Sequence, residues 1–379
     1  MTLLKDIRRL PKGVLLAVFA IAVYRAGWAA GDLFMAPFLK TIVSDYDKIG
    51  FYGGIAAFTA AMLTIPVGVL ADHIRRPALI RFGLMLYPFA ALGYFSAGML
   101  QSVPLLICTV IIHGIAIPFV WTGSESYIRA ESTDSTASMA FGLFDSGKFL
   151  FLIIAIVAAL FIESVPLPFI FLPIIVTALL GASIAKNLPS RRQKNISVEK
   201  IWTQMKKHHN LLKEVGKDLL TFNSEMYVAM TLALFIRIVG ALGTLFIPLY
   251  ALEHNMSMRT IGLLMVLMHT PALFSFVFAT LADKGEKIAT IMSGIGIIGL
   301  CALGLFIWQD QTWAIFGFSL LMMTGLTLMS PSVYGVITNL SVKKFDGMNT
   351  ALQNIVSRLG FSFAAVGIGL ISENWGVQF

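Results

Sequence analysis

Four cationic side chains and two imidazoles lie in the middle of long apolar runs: Arg25, Lys148, Arg237 and Arg358, with His113 and His269. Two carboxylates accompany them, Asp32 seven residues after Arg25 and Asp145 three residues before Lys148. Guanidinium and ammonium groups in such a setting bind carboxylate, phosphate or phosphonate. A buried carboxylate or imidazole can carry a proton, because burial and nearby charge shift its proton affinity in opposite directions. The chemistry on offer is anion binding by Arg25, Lys148, Arg237, Arg358, His113 and His269, with Asp32 and Asp145 as proton-coupling groups. The competing reading neutralises the cations internally and treats the histidines as packed polar residues, leaving a site for an apolar drug or lipid.

The elements that position these groups follow from composition. The 379 residues are 57% hydrophobic and 13% charged, with a mean hydropathy of +0.82. A soluble domain cannot bury that much apolar surface, so the composition implies an all-α polytopic membrane protein. Eleven helical spans are expected, near residues 14–38, 51–71, 78–98, 104–125, 139–162, 167–186, 227–250, 259–281, 287–307, 313–337 and 348–372. The first resembles a signal peptide, but Arg25 interrupts its apolar core and ten spans follow, so it is expected to be retained.

At about 1.5 Å of rise per residue, Arg25 lies roughly 16 Å into a hydrocarbon core about 30 Å thick. Placing each Arg or Lys against lipid would cost at least about 2.5–3.5 kcal/mol. These groups should therefore face a polar interior. Asp145 and Lys148, three apart, can pair directly. Arg25 and Asp32 share a face but are separated by about 10.5 Å of rise. The Arg25 side chain should lean away from Asp32, so a bridge through water or another helix is expected there. Two acids against four cations leave two positive charges in excess.

Of 28 lysines and arginines, four lie within spans and only Lys40, Lys48 and Arg259 fall on one side of the membrane; the other twenty-one face the opposite side. By the positive-inside rule the N-terminus is cytoplasmic, in the plasma (cell inner) membrane. Residues 187–226 form a basic linker in which Ile201, Trp202, Met205, Leu212, Val215 and Leu219 recur at helical spacing, as in an amphipathic helix on the membrane face. The division is an N-terminal half at 1–186, the linker, and a C-terminal half at 227–379. An odd number of spans would leave the C-terminus outside, so a twelfth helix beyond Phe379 is expected.

An offset of about 211 residues superposes the halves. It places Pro37 on Pro248 and Asp72 on Asp283, with Arg25 within one residue of Arg237 and Lys148 within one of Arg358. Internal symmetry of this kind, together with "GVLADHIRRPALI" between spans two and three, resembles the major facilitator superfamily of secondary transporters. Its loop motif is matched by Gly68, Leu70, Ala71, Asp72 and Arg76, while Arg75 replaces a later glycine and Pro77 the final basic residue. The second half keeps Leu281, Ala282, Asp283 and Lys287. The resemblance implies two six-helix halves around a central cavity, moving a small solute by alternating access. It implies a gate at Gly68, Asp72, Arg75, Arg76, Asp283 and Lys287. Glu125 and Arg129, at the cytoplasmic end of span four, are expected to join that gate. Val110 stands where the family's proton-antiport signature in span four has arginine, and the glycine-proline motif of span five is missing, so antiport by that arrangement is not implied.

The alternatives are multidrug or lipophilic-solute efflux, and a non-transporting receptor or scaffold with the same fold. No phosphate-binding loop, H-E-x-x-H or G-x-S-x-G motif occurs, and Ser146 and Lys148 point to different helix faces. Cys108 and Cys301 offer neither disulfide nor metal spacing. No catalytic residue, metal or cofactor is expected. The expected partners are a small-molecule substrate, the bilayer, and a proton or another ion acting on a monomer, without nucleic acid.

Overall fold

The computed structural model describes residues 10–132, 137–149, 152–189, 224–278, 287–308, 311–340 and 346–375. The amphipathic helix expected in the linker and Asp283 lie outside the described residues. Eleven helices in the described residues are long and apolar enough to cross a membrane. They are α1 (Lys12–Ile42), α2 (Tyr46–His73), α3 (Arg76–Leu100), α4 (Val103–Glu131), α5 (Ala140–Ser164) and α6 (Leu167–Lys186). The second set comprises α7 (Ser224–Glu253), α8 (Met258–Phe278), α9 (Lys287–Ile307), α10 (Thr312–Leu340) and α11 (Asp346–Trp375).

Several helices overrun their expected spans, because a helix stops where its capping changes, not where hydropathy falls. α4 starts at a Ser102 cap that accepts from the Leu105 amide, and it continues to Glu131. α7 is α-helical except at a π turn, Leu242–Phe246, just before Pro248. α8 tightens into a 3-10 turn at Thr270–Phe274, next to Pro271. Both irregularities sit beside a proline, which removes a helical N–H and crowds the preceding turn.

The two halves meet along two seams. α2 packs on α11, and α5 packs on α8. Exchanging helices whose numbers differ by six, α2 with α8 and α5 with α11, turns the first seam into the second, as the sequence repeat requires of a pseudo-two-fold assembly. Both seams depend on close backbone approach. A Cβ added at Gly54 would stand 3.1 Å from the Ser362 carbonyl oxygen, and the Ser362 hydroxyl donates to the Gly54 carbonyl at 3.0 Å. A Cβ at Gly262 would stand 2.6 Å from Ala159. Small residues supply such contacts where lipid removes the hydrophobic drive for helix association.

At one end of the molecule the halves are also tied by polar contacts. The Tyr46 amide donates to Glu373 Oε2 at 2.8 Å, and the Tyr46 hydroxyl donates to Glu253. Lys40 lies 3.5 Å from the Glu253 carboxylate and 3.8 Å above the Tyr46 ring. The ends of α1, α2, α7 and α11 thus converge on Tyr46.

Candidate functional site

A cavity of about 440 Å³ lies between the halves. Arg25, Lys148, Arg237, Arg358, His113 and His269 all line it, together with Asp32 and Glu125. The six side chains come from α1, α4, α5, α7, α8 and α11; the four cations lie on two equivalent pairs, α1 with α7 and α5 with α11.

The cations of the N-terminal half are paired. Arg25 Nη2 donates to Asp32 within α1, contrary to the expectation that a direct contact between them is too long. The leaning preference of long helical side chains is overridden here by charge attraction. The Arg25 guanidinium is drawn toward the only carboxylate on its own helix face, while Asp32 leans back to meet it. Lys148 Nζ donates to Asp145 Oδ1 at 2.6 Å. Both cations also approach the Trp121 ring, at 5.9 Å for Arg25 and 5.1 Å for Lys148, where the π face adds attraction.

The C-terminal half differs. Arg237, beside Tyr334, is exposed although it lies on the cavity wall, so its exposure is to the cavity. Arg358 is half-buried, and its Nε has no hydrogen-bond partner among the described residues. Neither arginine makes an ion-pair contact among the described residues. Glu125 lines the same cavity as both arginines.

Glu125 also lines the cavity. It lies six residues before the end of α4, roughly 9 Å inward, and its carboxylate faces the cavity instead of forming the end of a span. Asn354 Nδ2 donates to Glu125 Oε2 at 2.8 Å, joining α11 to α4. With this third acid, the four cations face Asp32, Asp145 and Glu125. The expected excess of two positive charges becomes one among the described residues.

The histidines are held by packing. His113 stacks on Trp28 with ring centroids 4.7 Å apart, and its Nδ1 lies 2.9 Å from the Tyr94 hydroxyl. His269 Nδ1 lies 2.7 Å from the Met265 carbonyl. A carbonyl only accepts, so this nitrogen carries the proton and Nε2 is left as the group to meet a ligand.

The loop-motif residues lie apart from the cavity. Asp72 is 3.7 Å from Arg76 one turn on, Arg75 caps α3, and Gly68 is buried in α2. Arg129 stands 5.7 Å from the centre of the Phe141 ring, and Lys287 opens α9. Sequence reasoning passed over Asn354, Trp28 and Trp121. Helical spacing would have found them: Trp28 lies between Arg25 and Asp32 on one face, Trp121 one turn before Glu125, and Asn354 one turn before Arg358.

No curated protein matches the chain by sequence. Among solved structures, a D-xylose-proton symporter superposes with a TM-score of 0.75 at 15% identity, over 96% of this chain and 90% of its own. The human organic anion transporter MFSD10 (TETRAN) gives 0.72 at 11% identity, over 97% and 96%. A POT family transporter gives 0.72 at 13% identity, over 97% and 92%. At these identities the likeness is one of fold. The model of the Major Facilitator Superfamily matches residues 17–365. With eleven apolar helices among the described residues and two seams related by one symmetry, this multi-pass membrane protein belongs to the Major Facilitator Superfamily.

Proposed function

We propose that the chain is a secondary transporter that moves a small organic anion by alternating access, driven by an ion gradient or by exchange. The observation that carries this reading is the convergence of Arg25, Lys148, Arg237 and Arg358 on one cavity between two symmetric halves. An anion there satisfies cations that would otherwise be costly in a dry interior. Rocking about the α2–α11 and α5–α8 seams would present the cavity to each side in turn. One structural neighbour, MFSD10, is an organic anion transporter, which agrees with this chemistry.

The remaining assignments belong to the same proposal. The halves are residues 1–186 and 227–379, working as a monomer in the plasma membrane with the N-terminus cytoplasmic. Arg25, Lys148, Arg237, Arg358, His113 and His269 line the substrate path. Asp32 and Asp145 are the proton-coupling carboxylates. Gly68, Asp72, Arg75, Arg76, Arg129, Asp283 and Lys287 belong to the gate, and Glu125 moves from gate to cavity.

One feature favours a second reading. Arg25 and Lys148 are already paired, and Trp28, Trp121 and Phe149 give the cavity an aromatic wall. Such a wall suits a lipophilic solute bound for efflux. Uptake into proteoliposomes separates the two. Accumulation of organic anions, lost in Arg237→Ala and Arg358→Ala, supports the first. Transport of lipophilic cations with no anion uptake replaces it with the second.

A further inference from the structure

The charges around the cavity differ in how they are satisfied. Arg25 and Lys148 each contact a carboxylate on their own helix. Removing these two pairs leaves Arg237, Arg358 and Glu125. The two arginines carry like charge, and one carboxylate, held by Asn354 at 2.8 Å, lines the same cavity without an ion-pair contact to either among the described residues. Arg358 Nε is buried with no partner among the described residues, and the Arg358 side chain lines the cavity. Two positive charges and one negative leave room for one more negative charge. A second anionic group on the ligand would meet the Glu125 carboxylate with no cation left to offset it.

Much of the remaining wall is apolar or aromatic. Trp28, Trp121, Phe149 and Phe361 line the same cavity, whose volume of about 440 Å³ accommodates a ring-sized organic molecule. Accordingly, and resting on the anion reading above, we propose that the cavity selects monovalent organic anions with an aromatic or aliphatic body. Their anionic group docks on Arg358 and Arg237 of the C-terminal half, and their body lies against Trp28, Trp121 and Phe149 of the N-terminal half. Glu125 is the residue that sets the valence. It does so as a fixed negative charge placed beside the arginines by Asn354. A ligand of this kind touches both halves at once, so the half that holds its charge differs from the half that holds its body.

The test is ligand-dependent stabilisation and calorimetric titration of the purified full-length protein at pH 7.5. The probes are benzoate, the dianion phthalate, neutral benzamide and the lipophilic cation tetraphenylphosphonium. In the wild type, benzoate should bind at least about tenfold more tightly than phthalate or benzamide. Glu125→Gln keeps an acceptor for Asn354 and removes one charge; it should move the phthalate-to-benzoate ratio at least about tenfold toward phthalate. Asn354→Asp adds a negative charge beside the arginines and should abolish benzoate binding while leaving benzamide unchanged, which keeps a readout where Glu125→Gln fails to fold. Phthalate binding the wild type as well as benzoate overturns the proposal, as does a ratio unmoved in Glu125→Gln or benzoate binding retained in Asn354→Asp. Binding of tetraphenylphosphonium with none of the anions overturns the anion reading itself, a distinct result.

Discussion

Arg25 and Asp32 sit seven residues apart on one helix and are hydrogen-bonded to each other. The contact keeps two full charges beside the cavity without asking the opposite half for help. Removing one member of such a pair leaves the other uncompensated, whereas removing both does not. Arg25→Gln and Asp32→Asn should each lower thermal stability by about 1–3 kcal/mol, and the double variant by clearly less than their sum. Additive melting temperatures would show that the pair contributes no coupling. The same Asp32→Asn protein tests proton carriage: uphill uptake driven by a pH gradient should be lost while exchange persists, and intact uphill uptake removes Asp32 from that role.

Arg237 and Arg358 are expected to outweigh Arg25 in anion affinity. The first two lack an ion-pair contact among the described residues, while Arg25 is already committed to Asp32. Alanine at Arg237 or at Arg358 should weaken benzoate binding more than tenfold, an effect of about 1.4 kcal/mol or more. Arg25→Lys should change it by less than about threefold, some 0.6 kcal/mol. Calorimetry on the three variants decides the ranking.

Tyr46 ties four helix ends together, through Glu373 at 2.8 Å and through Glu253. These contacts are partly solvent-exposed, so each contributes on the order of 1 kcal/mol or less. Glu253→Gln with Glu373→Gln should therefore favour opening at this end by about fivefold in population, the equivalent of about 1 kcal/mol. Labelling of a cysteine introduced at Ala57, in a chain whose Cys108 and Cys301 have been replaced, reads that opening. Unchanged labelling from the Tyr46 end would mean that the glycine seams alone hold it shut.

Asp72 and Arg76 are 3.7 Å apart, one turn along the chain and away from the cavity. Asp72→Asn should slow turnover several-fold and leave substrate affinity within about twofold, or 0.4 kcal/mol. A full-speed Asp72→Asn protein removes this pair from the gate.

Much of the architecture was legible in the chain, because in a bilayer apolar length and charge position decide nearly everything. The offset that aligns Pro37 with Pro248 anticipated the symmetric seams. Depth along each span brought Arg25, Lys148, Arg237, Arg358, His113 and His269 into consideration together, and the structure collects them in one cavity. The end of α4 differs from the expected span for a physical reason: hydropathy falls at "GSESYIR", yet the helix continues to Glu131. The Glu125–Asn354 contact joins residues 229 positions apart, and the Tyr46–Glu373 contact spans 327. Pairings at that separation depend on which helix faces meet, and a single chain of letters does not carry that.

The π turn at Leu242–Phe246 gives α7 two phases. A π turn takes up one residue more than the α turn it replaces, so all side chains beyond it are rotated by about 100° from where an unbroken helix would place them. Arg237 belongs to one phase and Glu253 to the other, like marks on a rod that has been cut, twisted and rejoined. The cavity wall lies at the join, where Thr244 and Leu245 line it. Deleting one residue there would bring the rod back into a single phase, and Glu253 would turn away from Tyr46 while Arg237 stayed at the cavity.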